Sequence, residues 1–397
     1  MTEAHSSIVG GSNAGRRIGC PGSYQQEQRV AHLPDTSSTY AEEGTALHEA
    51  MAAILKADVD ETTVLGQQFN GFVITDERMR DAIKPALAFF DEYLARIEEE
   101  DGGQAEFLVE NRVEMPGIPN SFGTADILGF TPKRSFCWDW KFGSGVRVSA
   151  EDNAQGKYYA RAGAHSFSQF FSEAPDWPVD IIICQPRIED GNSVWPTTGG
   201  ALQLFMVHLQ AAIAEAQSGS PKINKGPWCE FAKCKSVCPL WTNAPGEALE
   251  IRDENPDMLP AAELGGYYAD ALAILEDLEG WGKEIRKQAH QFLEAGTGPI
   301  DGWMLAQKRA VRSFTDEKKA ERALRTRGLK KADMFETKLI SPAKAEKALK
   351  PLGKELPAKL VQAVSSGTTL ARADSGRKAA TTTPQQMKVL AEKLARV

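Results

Sequence analysis

The chain has 397 residues, 42% of them hydrophobic and 25% charged, with a formal net charge of −8, enough for two or three domains of ordinary soluble composition. No stretch is apolar enough over a sufficient length to span a bilayer, and the N-terminus lacks the basic-then-apolar pattern of a secretory leader, so a cytoplasmic protein is expected. Six cysteines in such a chain argue against a disulfide scaffold.

Residues 1–40 read as loop-rich, with a short helical start around Ser12 to Ile18 before Cys20-Pro21-Gly22-Ser23. Ala46, Leu47, Ala50, Met51, Ile54 and Leu55 recur at helical spacing, which predicts a helix from Thr45 to Ala57 with Thr45 as its cap. Met79, Ile83, Leu87, Phe90, Leu94 and Ile97 mark a second helix over 77–99. The period then shortens to two. Phe107–Glu110, Arg112–Glu114, Gly123–Phe130 and Ser135–Phe142 read as strands. A helix is expected from Glu151 to Ala164, a buried strand from Asp180 to Gln185, a strand near it at Ser193–Thr198, and a helix from Ala201 to Gln217. This order predicts an α/β (α+β) fold, a mixed central sheet flanked by helices. Residues 219–245 look irregular and 260–294 helical. Ile300–Val311 suggests a short strand or hairpin, with short helices at Asp316–Thr326 and Pro342–Leu349. Trp281, Trp303, Phe292 and Phe314 are expected in a core. Residues 364–385, poor in large apolar side chains, read as a flexible linker, and 386–395 as a last short helix. The expected domains are 1–245, a mainly helical 246–363 that is basic from 301, and 364–397. No internal repeat is visible.

The strand Ser135–Gly143 carries the chemistry. Phe136, Trp138, Trp140 and Phe142 fall on one face, and Cys137, Asp139 and Lys141 on the other. Buried charge needs a partner. A hairpin through Thr131-Pro132-Lys133-Arg134 would set Asp126 beside Asp139, where two carboxylates repel unless a cation sits between them. Oxygen ligands suit Mg²⁺ or Mn²⁺, and the Trp140 carbonyl can add another. Lys141 is then placed to orient or deprotonate water and to offset transition-state charge.

Gly123-Thr124-Ala125-Asp126, Asp139-Trp140-Lys141 and Gln155-Gly156-Lys157-Tyr158-Tyr159 together resemble the PD-(D/E)XK nuclease superfamily in its RecB-like branch. That branch includes phage exonucleases and the iron–sulfur nucleases of the AddB kind. The resemblance implies that Asp126 and Asp139 bind metal and that Lys141 completes the motif. It adds His48, in Glu43-Gly44-Thr45-Ala46-Leu47-His48-Glu49, as a metal or phosphate ligand. Gln155 and Tyr159, four apart on one helix face, would help place the substrate. Glu110 is the weaker candidate for a further acidic ligand, with Glu106 and Glu114 as competitors. The implied activity is a metal-dependent deoxyribonuclease, an exonuclease processing DNA ends for phage or prophage recombination in the host cytoplasm. Its implied partners are DNA and a single-strand annealing recombinase. A structure-specific or nicking endonuclease and a non-catalytic DNA-binding or assembly module are the alternatives.

One cysteine before this core, Cys20, and three after it, Cys229, Cys234 and Cys238, resemble the ligand arrangement of a [4Fe-4S] cluster in that branch. The downstream triplet is spaced C-x₄-C-x₃-C, against the usual C-x₂-C-x₅-C of the branch, so the middle cysteine is displaced. A structural Zn²⁺ site is the rival. Either would clasp the N-terminal loop to the end of the core. Cys137 and Cys184 are expected in the core. Residues 301–397 hold 22 Lys/Arg and 10 Asp/Glu, leaving 24 and 44 for residues 1–300. The basic third could hold an anionic partner, or could merely complement the acidic body.

Overall fold

The structure, a computed structural model, describes residues 8–32, 39–230, 232–253, 259–307, 311–335, 341–350, 354–364, 368–372 and 379–380. The chain divides into two compact units, Met1–Trp281 and Gly282–Val397. The division lies well past residue 245, where composition suggested it.

The first unit is a three-layer α/β assembly. Two short helices, α1 (Ala14–Gly19) and α2 (Ser23–Arg29), precede α3 (Thr39–Ala57). A helical turn at Asp76–Arg78, capped by the Thr75 hydroxyl, runs through a π-type turn at Met79–Ile83 into α4 (Lys84–Asp101). The sheet follows: β1 (Glu106–Glu114), β2 (Phe122–Phe130) and β3 (Ser135–Trp140). Next come α5 (Ala154–Ser166), β4 (Pro178–Cys184), β5 (Ser193–Thr198) and α6 (Gly199–Ala216). The five strands lie side by side in chain order. All pairs are antiparallel except β3 and β4, which run parallel with α5 between them in sequence.

The period-2 pattern of β3 explains the layers. Phe136, Trp138, Trp140 and Phe142 join Leu47, Met51, Ile54, Phe90, Tyr93 and Ile97 in one core, under α3 and α4. Phe90 meets Trp138 edge-on at 5.0 Å, one of several aromatic pairs there, each contributing about 1 kcal/mol beyond its burial. Cys137 faces the opposite core, with Leu128, Ile181, Tyr158, Leu202 and Leu209, under α5 and α6. Cys184 is buried in the first. Both cysteines are core residues.

Several expectations change. α3 begins at Thr39, so Thr45 is no cap; its hydroxyl donates inside the helix to the Ala41 carbonyl at 3.2 Å. Gly44 has open space around it and is carried along in the helix. β3 ends at Trp140, two residues early. The second helix carries an unforeseen π-type turn.

In the second half of the chain, a 34-residue helix, α7 (Ala261–Glu294), spans the division between units. The second unit holds β6 (Trp303–Gln307), β7 (Val311–Phe314), α8 (Glu317–Thr326), α9 (Pro342–Leu349), β8 (Val361–Val364) and β9 (Thr368–Arg372). Among the described residues β6 and β7 are not paired with each other. β6 pairs with β9 and β7 with β8, both antiparallel. The expected linker therefore contains a strand, because Thr368–Arg372 finds its partner sixty residues upstream. A small core of Ala320, Leu324, Leu329, Met334, Ala345 and Leu349 holds α8 and α9, with Phe314 packed on it. Trp303 is 39% exposed and is not a core residue. The helix expected at 386–395 lies outside the described residues. No helix among the described residues is long and apolar enough to cross a membrane.

Candidate metal centre

The sheet brings three carboxylates into one row. The β1–β2 ladder pairs Val109 with Ile127 and Asn111 with Ala125, so Glu110 stands opposite Asp126. The β2–β3 ladder stops at Ile127–Trp138, and one step on in that register Asp126 faces Asp139. There the strands part, and the Trp140 N–H donates to Asp126 Oδ2 at 2.7 Å. The N–H and C=O of a strand residue point the same way, which turns the Trp140 carbonyl toward the same side. Glu110 has a left-handed backbone, φ 53°, in mid-strand. A non-glycine residue held there stores strain, a frequent mark of functional positions.

The helices complete the site from both faces. Leu47, Ala50, Met51 and Ile54 bury one side of α3 and leave His48 on the flank toward the carboxylates. His48 Nδ1 lies 3.4 Å from Asp126 Oδ1, and its ring meets Phe142 edge-on at 5.4 Å. Ligand atoms of His48, Glu110 and Asp126 all lie within 4.8 Å of one another. Opposite, α5 lies close on the sheet because it carries glycines where other residues have side chains. A Cβ on Gly156 would stand 2.3 Å from Ile181 Cγ2, and one on Gly163 2.7 Å from Leu128 Cδ1. That approach lets Gln155 bridge the last two groups. Its Nε2 donates to Asp139 Oδ1 at 2.9 Å, and its Oε1 accepts from Lys141 Nζ at 3.2 Å. Lys141 and Asp139 Oδ2 form an ion pair. Tyr159, one turn after Gln155, packs over Gly11 and Gly123.

Electrostatics mark the same residues. Burial pushes the Glu110 carboxyl up, and the Asp126 charge adds to it. Burial likewise raises Asp139, with the Lys141 ammonium opposing and Asp126 reinforcing. Burial works against the charge on Asp126, but His48, the Trp140 N–H and Lys141 together outweigh it and hold this carboxyl low. Burial disfavours the His48 imidazolium, and Asp126 reverses the balance, so the ring titrates above its ordinary value. Facing like charges destabilise a sheet, and a cation bound between them removes that cost. Two or three carboxylates with one imidazole suit Mn²⁺ or Mg²⁺.

His48, Glu110, Asp126, Asp139, Lys141, Gln155 and Tyr159 all line one cleft of about 1010 Å³. Glu106 and Glu114, at the exposed ends of β1 opposite Phe130 and Phe122, lie outside it. Two features went unnoticed in the sequence. Lys56 also lines the cleft, and its spacing of eight from His48 on α3 was the available signal. Glu43, on the same helix, accepts from Arg78 Nε at 2.9 Å and Arg187 Nη2 at 3.1 Å, while Arg187 Nη1 donates to the Phe142 carbonyl at 3.2 Å. This clamp ties the helix of His48 to the segment after Lys141. Nothing in the local sequence signals it.

The four remaining cysteines converge on a second, smaller cavity. Cys20, between α1 and α2, lines it with Cys229, Cys234 and Cys238 from a run of short turns. The Asn224 N–H donates to Cys20 Sγ at 3.3 Å, and Arg16 Nε to the Trp228 carbonyl at 3.2 Å. Burial raises the Cys20 and Cys238 thiols and pushes Cys234 up to about 12. Such thiols become ligands by losing their protons to a metal.

Residues 5–378 match a family described as "Protein of unknown function (DUF2800)". The chain belongs to the DUF2800 family. In this DUF2800 member the matched span includes the cleft, the four cysteines and most of the second unit.

Proposed function

We propose that this DUF2800 protein is a metal-dependent deoxyribonuclease of the RecB-like PD-(D/E)XK type, acting as an exonuclease on DNA ends in phage or prophage recombination. One observation carries the reading: Glu110, Asp126 and Asp139 form a row across three strands, with His48 at one flank and the Lys141–Gln155 pair at the other. His48, Glu110, Asp126, Asp139 and the Trp140 carbonyl are the groups that would hold Mg²⁺ or Mn²⁺. A bound ion of this kind supplies Lewis-acid polarisation of a phosphate oxygen and a more acidic water. Lys141, fixed by Asp139 and Gln155, orients the attacking water and offsets charge growing on the phosphate. Gln155 holds Asp139 and Lys141 in register, and Tyr159 lines the path of the nucleic acid.

The four-cysteine cavity is assigned to a [4Fe-4S] cluster, with structural Zn²⁺ as the alternative. It clasps residues around Cys20 to a segment two hundred residues later, so metal-binding energy there becomes folding energy.

The test is incubation with Mg²⁺ or Mn²⁺, reduced and anaerobic, of linear and covalently closed circular DNA of one sequence. Loss of the linear form alone is expected. Attack on the closed circle would make the protein an endonuclease. Tight binding of both without cutting would leave a non-catalytic DNA-binding module.

A further inference from the structure

Charge separates between the two units more sharply than along the sequence as a whole. Residues 1–281 hold 21 Lys/Arg and 42 Asp/Glu, a net of −21; residues 282–397 hold 25 and 12, a net of +13. The unit with the cleft is therefore a body that repels a polyanion. A nuclease built on it needs its attraction for DNA from elsewhere in the chain, since phosphate neutralisation supplies most of the non-specific affinity.

Helix α8 presents the matching surface. It begins at Asp316, whose side chain accepts from the Lys319 N–H at 2.9 Å. Ala320 and Leu324, fully buried, pin one side of the helix to the core of the second unit. At about 100° per residue, Lys318, Arg322 and Arg325 fall in one narrow arc on the opposite side, and all three are exposed. Arg325 is paired with Glu321 at 2.7 Å, and Lys319 with Asp316 at 3.3 Å. Lys318 and Arg322 have no acidic partner among the described residues. An exposed cationic row backed by a well-packed apolar side is fixed in direction, as a phosphate contact requires.

We infer that the Lys318–Arg322–Arg325 face of α8 is a docking surface for the DNA phosphate backbone. The inference rests on the reading of that cleft as a DNA nuclease site. Contacts of this kind read charge and not sequence, so binding is sequence-independent and steeply salt-dependent.

The experiment measures binding of a fluorescent 30-bp duplex by the full-length protein, in EDTA so that cleavage plays no part, from 50 to 200 mM KCl. It compares wild type, Lys318→Glu/Arg322→Glu, and a control with the same change in net charge on the acidic unit, Arg80→Glu/Lys84→Glu. Two lost phosphate contacts should lower the slope of log K against log [salt] by about 2 and weaken binding at 50 mM at least tenfold. The control should stay within about threefold of wild type. Equal effects of the two double variants, or an unchanged slope, would overturn the inference. So would tighter binding of an RNA duplex of the same sequence. Thermal melts of both variants guard against loss of fold; should Lys318→Glu/Arg322→Glu unfold, Lys318→Gln/Arg322→Gln with an expected slope change of the same size replaces it. The two readings fail separately. Wild type that binds through α8 and never cuts loses the nuclease reading alone. Protein that cuts and binds unchanged after charge reversal loses the docking surface alone.

Discussion

Replacing Glu110 with Gln is expected to stabilise the metal-free protein and destabilise the metal-bound one. Glu110 and Asp126 face each other across the β1–β2 ladder, with ligand atoms within 4.8 Å. At an effective dielectric of about 20, two full charges at that distance repel by roughly 3.5 kcal/mol. His48 beside Asp126 removes much of this. The remainder is about 1 kcal/mol, the scale of facing like charges in sheets. In EDTA the variant should melt roughly 2–3 °C above wild type. With Mn²⁺ at a hundred times its Kd, wild type gains about 2.7 kcal/mol, and the variant, short of one ligand, gains far less. The order of melting temperatures therefore inverts between EDTA and Mn²⁺. Calorimetry in both buffers reads this directly, with Glu106→Gln, on the exposed end of the same strand, as the silent control. A variant less stable than wild type in EDTA, with an unchanged Mn²⁺ shift, would show that Glu110 is an ordinary structural acid.

Three further outcomes follow from the same structure. Arg134 donates to buried Asp101 at 2.7 Å and Asp180 at 3.3 Å, so Arg134→Met should cost about 3–5 kcal/mol in urea melts at pH 7. Its hydrogen bond holds the Asp101 carboxyl below its ordinary value; that contribution is complete above about pH 4 and lost as pH falls through the folded value, so the variant's deficit should shrink in acid. Gly156→Val, which places side-chain atoms against Ile181, should lose about 1–3 kcal/mol and most Mn²⁺-dependent activity by lifting Gln155, whereas Gly44→Ala, in open space on α3, should gain about 1 kcal/mol. Purified anaerobically, wild type should contain iron and acid-labile sulfide, Cys20→Ser and Cys238→Ser should lose both, and core Cys137→Ser should keep them; zinc in place of iron would reject the cluster.

Much of the first unit was legible in the chain because its signals are local. The aromatic alternation of β3, the four-residue turn at Thr131–Arg134 and the helical spacing on α3 and α5 each depend on neighbours in sequence. Together they put Asp126 beside Asp139 and Gln155 above both. Gly44 and Thr45 look like a cap, but α3 runs through them from Thr39 because burial of the helix against the aromatic core offsets the cost of the glycine. The left-handed backbone of Glu110 left no trace, since it sits inside an otherwise continuous β1–β2 ladder. The second unit defeated local reading for a different reason. Its strands β6 and β9 are sixty residues apart, and β9, Thr368–Arg372, is only five residues long, so its strand state depends on the partner. The Glu43–Arg78–Arg187 clamp is likewise a meeting of three distant segments.

Single-turnover cleavage of linear duplex DNA by wild type and Lys141→Ala, with Mn²⁺ and DNA affinities measured alongside, reports whether the carboxylate row and Lys141 form a working phosphodiester site. Wild type should cut, and the variant should bind both ligands nearly as well yet cut about 10²–10⁴ times more slowly. Equal rates in the two proteins, or Mn²⁺-loaded wild type that binds DNA and leaves it intact, would exclude such a site.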